Sequence, residues 1–460
     1  MSTASHLRQL LADIDAKREN ARALIRDLQA ELTRLDAERK PIADALRSVI
    51  YPIVDLAPEL TLEIFAYYAA GGYDPVILTH VCRSWRQIAL MAAKLWSQIV
   101  VDSSTQSSID GDKLLHRRFE RAGECFIDVK TTSKRGPCAD PRVYSIISGH
   151  SHQIRSLEYE IPLPKQCRFE GMTGHIPHLE SIHLAVSAAR IRTPYLREAP
   201  ALCKLTIDVS KPEFSLLELV FPFQQITFLC VSTPCQDVLL FIALFPRLQF
   251  LEFCSWDLAL PTNQIVLNYL RTLRIRDGAP RLLLGWLRIL EVPALEALAI
   301  DLQRAAIPEC TQNLGTFLAS KERLRSMELS NLSGATAVDI VTLTPNLISL
   351  KLDRLTDQAD LFQALVPDIF EPLLPGLVEL SVTTPPVEES DLRVLDFLHS
   401  RAVAGEALRR FSFTSSQRQG WFSDSDFQRR VESLPFTVDI RTPSGGQALQ
   451  EPPILYSLLD

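Results

Sequence analysis

The cysteines of this chain form no pairing or metal-binding pattern. Nine are scattered through 460 residues, which is an odd number, and no Cys-x-x-Cys pair occurs. Several lie within apolar runs, where a free thiol packs as a small hydrophobic side chain. Such usage is typical of a reducing compartment, so we expect the protein in the cytosol or the nucleus.

Long apolar stretches and an excess of positive charge are also missing. The most apolar stretch, residues 238–245, is far shorter than a membrane span. Charges interrupt the N-terminal segment, where a signal peptide would be apolar. Lysine and arginine number 48 against 55 aspartate and glutamate, a net charge of −7. We therefore expect neither a membrane protein nor one that binds nucleic acid through its charge.

Common nucleophile, phosphate-binding and zinc-binding motifs are absent. There is no Gly-x-Ser-x-Gly and no Gly-x-x-x-x-Gly-Lys. The nearest histidine groups are His150 with His152, and His175 with His178 and His183. Neither group has a cysteine or carboxylate at zinc-ligand spacing. We expect no catalytic residue, metal or cofactor, and hence a binding protein rather than an enzyme.

Residues 1–46 are predicted to form a coiled-coil helix. Positions alternate four and three residues apart, the spacing with which one helix packs along another. They are Leu7, Leu11, Ile14, Arg18, Ala21, Ile25, Leu28, Leu32, Leu35, Arg39 and Ile42. Arg18, Ala21 and Arg39 weaken the apolar seam. The helix could pack against either of two partners: residues 7–42 of a second copy, or the rest of the same chain.

Residues 51–97 combine three short predicted helices. The first begins at Pro58, because the missing N–H of proline costs nothing in a first turn. The glycine pair 71–72 ends it. A second helix starts near Asp74, with Val81, Cys82 and Trp85 on its apolar side, and a third segment ends in Leu95-Trp96. A core of this size is marginal alone and usually depends on a partner.

The order of motifs in this stretch resembles an F-box of the type expanded in fungi, basidiomycete-like. The segments are Leu56-Ala57-Pro58-Glu59-Leu60, Glu63-Ile64-Phe65, Val81-Cys82-Arg83-Ser84-Trp85-Arg86-Gln87-Ile88-Ala89 and Leu95-Trp96-Ser97. Ala57 stands where many relatives have a second proline. The resemblance implies docking onto the Skp adaptor of a cullin complex. The contacts it implies are Leu56, Pro58, Glu59, Leu60, Ile64, Phe65, Val81, Cys82, Trp85 and Trp96.

A Leu-x-x-Leu-x-Leu pattern recurs eleven times between residues 154 and 413. Its starts lie 22 to 31 residues apart: Ile154, Leu179, Leu202, Ile226, Leu248, Leu270, Leu295, Leu324, Leu347, Leu377 and Leu408. Each unit predicts a short strand with alternate residues inward, followed by a helix or loop. Neighbouring units must stack, because no unit can bury its own apolar face. Pattern and period resemble an irregular leucine-rich-repeat solenoid.

Outward-facing strand residues are the candidates for substrate binding, because a solenoid displays them in a row. Phe228 and Phe250 fall on adjacent units, and an exposed aromatic pair favours binding of a partner. Our candidate contacts are Phe228, Phe250, Glu252, Arg274 and Lys351. In the alternative, a helix or loop covers the two phenylalanines.

Together these patterns predict an α/β protein. Its parts are a coiled-coil helix (1–46), an F-box (51–97), a linker with the first atypical repeats (98–150), a parallel-stranded leucine-rich-repeat solenoid (151–432) and a cap or tail (433–460). The resemblance implies a non-catalytic substrate receptor of an SCF-type cullin-RING ubiquitin ligase, with an unknown protein substrate on the repeats. The alternative is a scaffold that binds partners through coiled coil and repeats without ubiquitination.

Overall fold

A computed structural model describes most of the chain. It covers residues 3–48, 56–102, 109–132, 141–161, 176–186, 194–255, 263–276, 287–301, 308–366, 373–384, 393–404, 407–415 and 425–441. Residues 51–55 of the predicted F-box, His175, and residues 442–460 of the predicted tail lie outside the described residues. The chain forms two compact units, Met1–Leu95 and Trp96–Asp460. A long N-terminal helix is followed by a large parallel sheet, which confirms the α/β class.

The first unit is helical. Its helices are α1 (Thr3–Ser48), α2 (Pro58–Ala70) and α3 (Arg83–Met91), with a short 3-10 turn at Ile77–His80. A single helix thus covers the heptad region, as predicted. The predicted second helix is divided, however, because Cys82 is extended (φ −154°, ψ 175°). The Cys82 Sγ accepts a hydrogen bond from the Trp85 backbone N–H at 3.4 Å, so it caps α3 instead of continuing the preceding turn.

The second unit is built on a sheet that holds fourteen parallel strands among the described residues. They are β1 (Gln98–Asp102), β2 (Ile127–Thr132), β3 (Ile154–Ile161), β4 (Ser181–Val186), β5 (Lys204–Val209), β6 (Phe228–Thr233), β7 (Phe250–Ser255), β9 (Thr272–Arg276), β11 (Ala297–Asp301), β12 (Ser326–Ser330), β13 (Ser349–Asp353), β14 (Glu379–Thr384), β15 (Arg410–Ser415) and β16 (Thr437–Arg441). Two short strands, β8 (Ile265–Val266) and β10 (Leu290–Glu291), pair separately. Strands that follow one another in this sheet are neighbours in space, as in a solenoid.

All eleven predicted repeat strands are present and aligned in one register. Their central inward residues form a continuous ladder, and each is at most 2 % exposed. The ladder is Leu157, Ile182, Leu205, Leu229, Leu251, Leu273, Leu298, Met327, Leu350, Leu380 and Phe411. The sheet also continues into β16, which pairs with β15. Repeat-like strands therefore extend beyond the predicted boundary at residue 432.

Helices follow several of the strands in the second unit. They are α4 (Ile109–Ala122), α5 (Pro141–Gly149), α6 (Val238–Ile242), α7 (Pro308–Leu318), α8 (Gly334–Thr342), α9 (Gln358–Leu365), α10 (Arg393–Ala404) and α11 (Ser425–Glu432). Residues of α9 and α10 bury large side chains, including Phe362 and Phe397, against the sheet residues Phe411 and Phe413.

A buried arginine forms hydrogen bonds that connect elements in the C-terminal part of this core. The Arg401 side chain on α10 is only 2 % exposed. It donates to the carbonyl of Leu365 at 2.9 and 3.1 Å, of Leu373 at 2.6 Å and of Leu374 at 3.1 Å. One guanidinium thus satisfies the end of α9 and a turn in which Leu374 has a positive φ of 54°. Buried carbonyls need such partners, because leaving one unpaired costs roughly 1–3 kcal/mol.

We predict that Arg401→Ala lowers the free energy of unfolding by at least about 3 kcal/mol, because three buried carbonyls lose their donor at once. Urea unfolding followed by circular dichroism measures the change. Arg409→Ala is the matched control, since Arg409 is exposed, and it should change stability by less than about 0.5 kcal/mol. Equal effects of the two substitutions would contradict a structural role for the buried guanidinium.

Candidate functional site

The residues at the two ends of α2 determine where the helix begins and ends. Pro58 lies in the first turn together with the acidic Glu59, which suits the helix dipole. The Thr61 hydroxyl donates to the Ala57 carbonyl at 3.2 Å. At the other end Gly72 has a φ of +81°, a conformation that glycine adopts without strain.

Two faces of α2 are apolar, and only one is buried. Thr61, Phe65 and Ala69, four residues apart, are at most 8 % exposed. Leu60, Ile64 and Tyr67 recur four and three residues apart along another face, and they are 52, 46 and 75 % exposed. We call these three residues the exposed stripe. A stable soluble helix normally presents one apolar face, so the second one makes α2 a candidate surface for binding a partner.

The core beneath the exposed stripe is aromatic. Phe65 is fully buried and meets the Trp85 ring edge to face, with 4.9 Å between ring centroids. Trp85 and Cys82 are half-buried, and Cys82 caps the helix that carries Trp85. The structure therefore places Phe65, a predicted adaptor contact, in the core of this unit and not on its surface. Phe65 supports the exposed stripe from inside.

The other predicted adaptor contacts differ in exposure. Leu56 is half-buried, whereas Pro58 and Glu59 are exposed. Val81 is 57 % exposed, because the chain breaks its helix at this point. Trp96 is 2 % exposed and lies in the second unit, beneath the guanidinium of Arg121 at 4.4 Å. The structure thus places Trp96 in the core of the sheet unit and not on a surface open to an adaptor.

A second candidate surface lies on the outward face of the sheet. Phe228 and Phe250 occupy paired positions on β6 and β7, and their rings are parallel within 5° at a centroid distance of 4.3 Å. The Arg274 guanidinium of β9 lies 5.7 Å from the centre of the Phe250 ring. Both phenylalanines are half-buried. The sheet thereby assembles a stacked aromatic pair with a positive charge over the second ring.

Glu252 completes this cluster. Its carboxylate, 16 % exposed, lies 2.9 Å from Arg276 and 4.0 Å from Arg274. We call Phe228, Phe250, Glu252 and Arg274 the aromatic site. Lys351 was predicted with them but lies on β13, beyond β11 and β12, where it pairs with Glu328 at 2.5 Å. The structure therefore brings together four of the five predicted substrate contacts.

A charged cluster next along the sheet was missed by sequence reasoning. His183 on β4 contacts Asp208 through Nε2 at 2.7 Å and Glu158 through Nδ1 at 3.7 Å. Lys130 in turn contacts Glu158 at 2.7 Å. The available signal was the repeat register, which places these outward residues on neighbouring strands. Carboxylates on both sides of a histidine favour its protonated form.

The pKa directions on this face follow from these contacts. The hydrogen bond with Asp208 raises the pKa of His183, and the charges of Asp208 and Glu158 act in the same direction. Burial raises the pKa of the Cys230 thiol to about 12. A thiol with such a pKa is protonated at neutral pH and is a poor nucleophile. Among the described residues, no group of three or more His, Cys, Asp and Glu is placed to hold a metal ion.

The comparisons add no relatives to this description. No model of a known protein family matches the sequence, and no curated protein matches it either. Within the described residues, no helix has both the length and the apolar character needed to cross a membrane. Functional inference therefore depends on the residues of the two surfaces.

We predict that His183 makes stability depend on pH. Its pKa in the folded protein is raised above the unfolded value of about 6.5. The resulting stabilisation is complete below the unfolded pKa and is lost as the pH rises through the folded pKa. The stability difference between wild type and His183→Gln should therefore be larger at pH 5.5 than at pH 8.5, as urea unfolding would show.

The Asp208→Asn background provides the control for this prediction. There the histidine has lost its closest carboxylate, so the same His183→Gln substitution should show a much smaller dependence on pH. A difference independent of pH in both backgrounds would mean that the His183–Asp208 contact does not stabilise the protonated ring.

Proposed function

We propose that this protein is the substrate-receptor subunit of an SCF-type cullin-RING ubiquitin ligase. The observation that carries the proposal is the exposed stripe on α2, which lies within the very segment whose motifs resemble an F-box. A small helical unit that keeps a second apolar face in water needs a protein partner. The resemblance supplies its class, the Skp adaptor.

The exposed stripe suits this role energetically. Leu60, Ile64 and Tyr67 are large side chains that already lie on a formed helix, so little further ordering is needed on binding. Burying a side chain of this size contributes roughly 1.5–3 kcal/mol. The buried pair Phe65 and Trp85 holds the helix in place beneath them. A partner that covers the stripe would therefore gain several such contributions at modest entropic cost.

The sheet unit would then hold the substrate. A stacked aromatic pair offers an apolar side chain of the substrate a rigid apolar contact, whose own side chains lose little conformational entropy on binding. Arg274, whose guanidinium lies over the Phe250 ring, favours an acidic residue next to that side chain. The chain itself would perform no bond chemistry. Its contribution would be to raise the effective concentration of the substrate near ubiquitin carried by other subunits.

Adaptor binding is the first prediction of this function. The double variant Leu60→Asp, Ile64→Asp should weaken binding to a purified Skp adaptor by at least about a hundredfold, because two charges would be buried without partners. Isothermal titration calorimetry or co-purification measures this. Leu62→Asp is the matched control, since Leu62 is also exposed at 38 % but lies on a different side of α2. It should leave adaptor binding within a few-fold of wild type.

Two results would contradict adaptor binding through the exposed stripe. One is a folded wild-type protein that shows no adaptor binding; the scaffold alternative then takes the place of the ligase function. The other is equal loss of binding in Leu62→Asp and in the double variant, with unchanged circular dichroism. The adaptor would then use a surface other than the exposed stripe.

The aromatic site gives a separate prediction. In cells, Phe228→Ala with Phe250→Ala should reduce the ubiquitination of a defined subset of proteins severalfold, while adaptor binding stays unchanged. Quantitative mass spectrometry of ubiquitin-modified peptides measures it. The control is Ser326→Ala with Ser349→Ala, paired outward positions on β12 and β13. Identical profiles for the two double variants would remove the aromatic site from substrate binding.

A further inference from the structure

The seam of α1 is an apolar surface without cover among the described residues. Its large apolar side chains are between 48 and 70 % exposed: Leu7, Leu11, Ile14, Ile25, Leu28, Leu32, Leu35 and Ile42. They span five heptads, more than the three to four that indicate a coiled coil. A strict 3.5-residue repeat favours one occupant in particular, a second helix of matching length. Another copy of α1 meets that requirement.

We propose that α1 pairs with α1 of a second copy of this chain as an antiparallel coiled coil. This inference is independent of the proposed ligase function. In the register we propose, Leu11 faces Leu35, Ile14 faces Leu32, and Ala21 faces Ile25 of the other copy. Arg18 then faces Leu28, and Leu7 faces Arg39. The orientation follows from the charges along the seam.

A parallel, in-register pair would bring like charges together at every charged step. The two copies of Arg18 would meet in the seam, and so would the two copies of Arg39. Beside the seam, Lys17 of one helix would approach Arg22 of the other, and Glu31 would approach Asp36. Like charges at these flanking positions oppose pairing.

The antiparallel register removes these conflicts. Lys17 then lies beside Glu31 of the second copy, and Arg8 lies beside Asp36, so that the two-fold axis gives four attractive pairs. The two copies of Leu24 meet at that axis and widen the apolar contact; Leu24 is 59 % exposed in the single chain. One like-charged pair remains, Arg22 with its own copy. Its charge is already compensated by Glu19 at 2.7 Å within the same helix.

The arginines in the seam and the single proline fit the same register. Arg18 and Arg39 each face a leucine, along which the methylene stem of arginine packs while the guanidinium reaches water. The overlap runs from residue 7 to residue 39 and so ends before Pro41, which lies inside α1. Proline interrupts the helical hydrogen bonding at that point.

Charge reversal distinguishes the two orientations. In the antiparallel pair, Lys17→Glu puts a carboxylate beside Glu31, and Glu31→Lys puts an amine beside Lys17. Each should raise the dimer dissociation constant by roughly tenfold at low salt, since each alters two symmetry-related pairs. The combined variant Lys17→Glu, Glu31→Lys restores opposite charges and should return to near the wild-type value. In a parallel pair, each single variant would instead tighten association.

Sedimentation equilibrium of the full chain, across a wide range of concentrations at low salt, measures these constants. Lys40→Glu is the matched control: it makes the same charge change at an exposed position of α1 that points away from the seam, and it should leave the constant within about twofold. Circular dichroism checks that helix content is unchanged.

Weakening by both single variants with recovery in the double variant supports the antiparallel dimer. Tightening by the single variants would overturn the orientation. A wild-type chain that stays monomeric at all concentrations would overturn self-association and favour packing of α1 within its own chain. Neither of these results bears on adaptor binding, which depends on α2.

Discussion

The inward ladder of the parallel sheet is the constraint on which the second unit depends. Each repeat strand exposes one apolar row that its own unit cannot cover, so it must be buried by the neighbouring units. From Leu157 to Phe411 the register passes between adjacent repeat strands without a slip. A shift by one residue would turn every inward side chain to solvent. By fixing the strand register, the hydrophobic effect also determines which outward residues lie side by side.

The fixed outward row explains why residues far apart in sequence lie in direct contact on the sheet. Phe228 and Phe250 are 22 residues apart, yet their rings stack because paired strands put them side by side. Strand order also keeps Lys351 away from them, since β13 is the third strand after β9 in the sheet. Function on such a surface is therefore encoded by which repeats are adjacent. Charge alone does not bring a residue into the aromatic site.

Sequence reasoning succeeded where one period governed a whole element. The alternation of inward and outward residues located all eleven repeat strands, and the heptad spacing located α1. Four of the five proposed substrate contacts followed from the strand register. Lys351 lies apart from the other four, because an outward direction does not determine how many strands separate two residues.

Sequence reasoning failed where one helix has two apolar faces and only one of them packs into the core. On α2 both Ile64 and Phe65 are apolar, and helical spacing does not determine which face meets the neighbouring helix. The edge-to-face contact with Trp85 decides it in favour of Phe65. Likewise, periodicity gave no sign that Cys82 would act as a cap and divide the second helix, since a thiol is a weak acceptor in this role. Trp96 was misplaced because its partner, Arg121, comes 25 residues later.

Association of two copies through the seam of α1 would give each dimer two exposed stripes and two aromatic sites. In an antiparallel coil the two α1 helices leave the overlap at its opposite ends, which lie roughly 50 Å apart at a rise of about 1.5 Å per residue. The chain therefore continues from opposite ends of the coil. In the function we propose, a dimer would carry two aromatic sites, so a substrate that engages both at once would gain avidity that a single copy cannot offer.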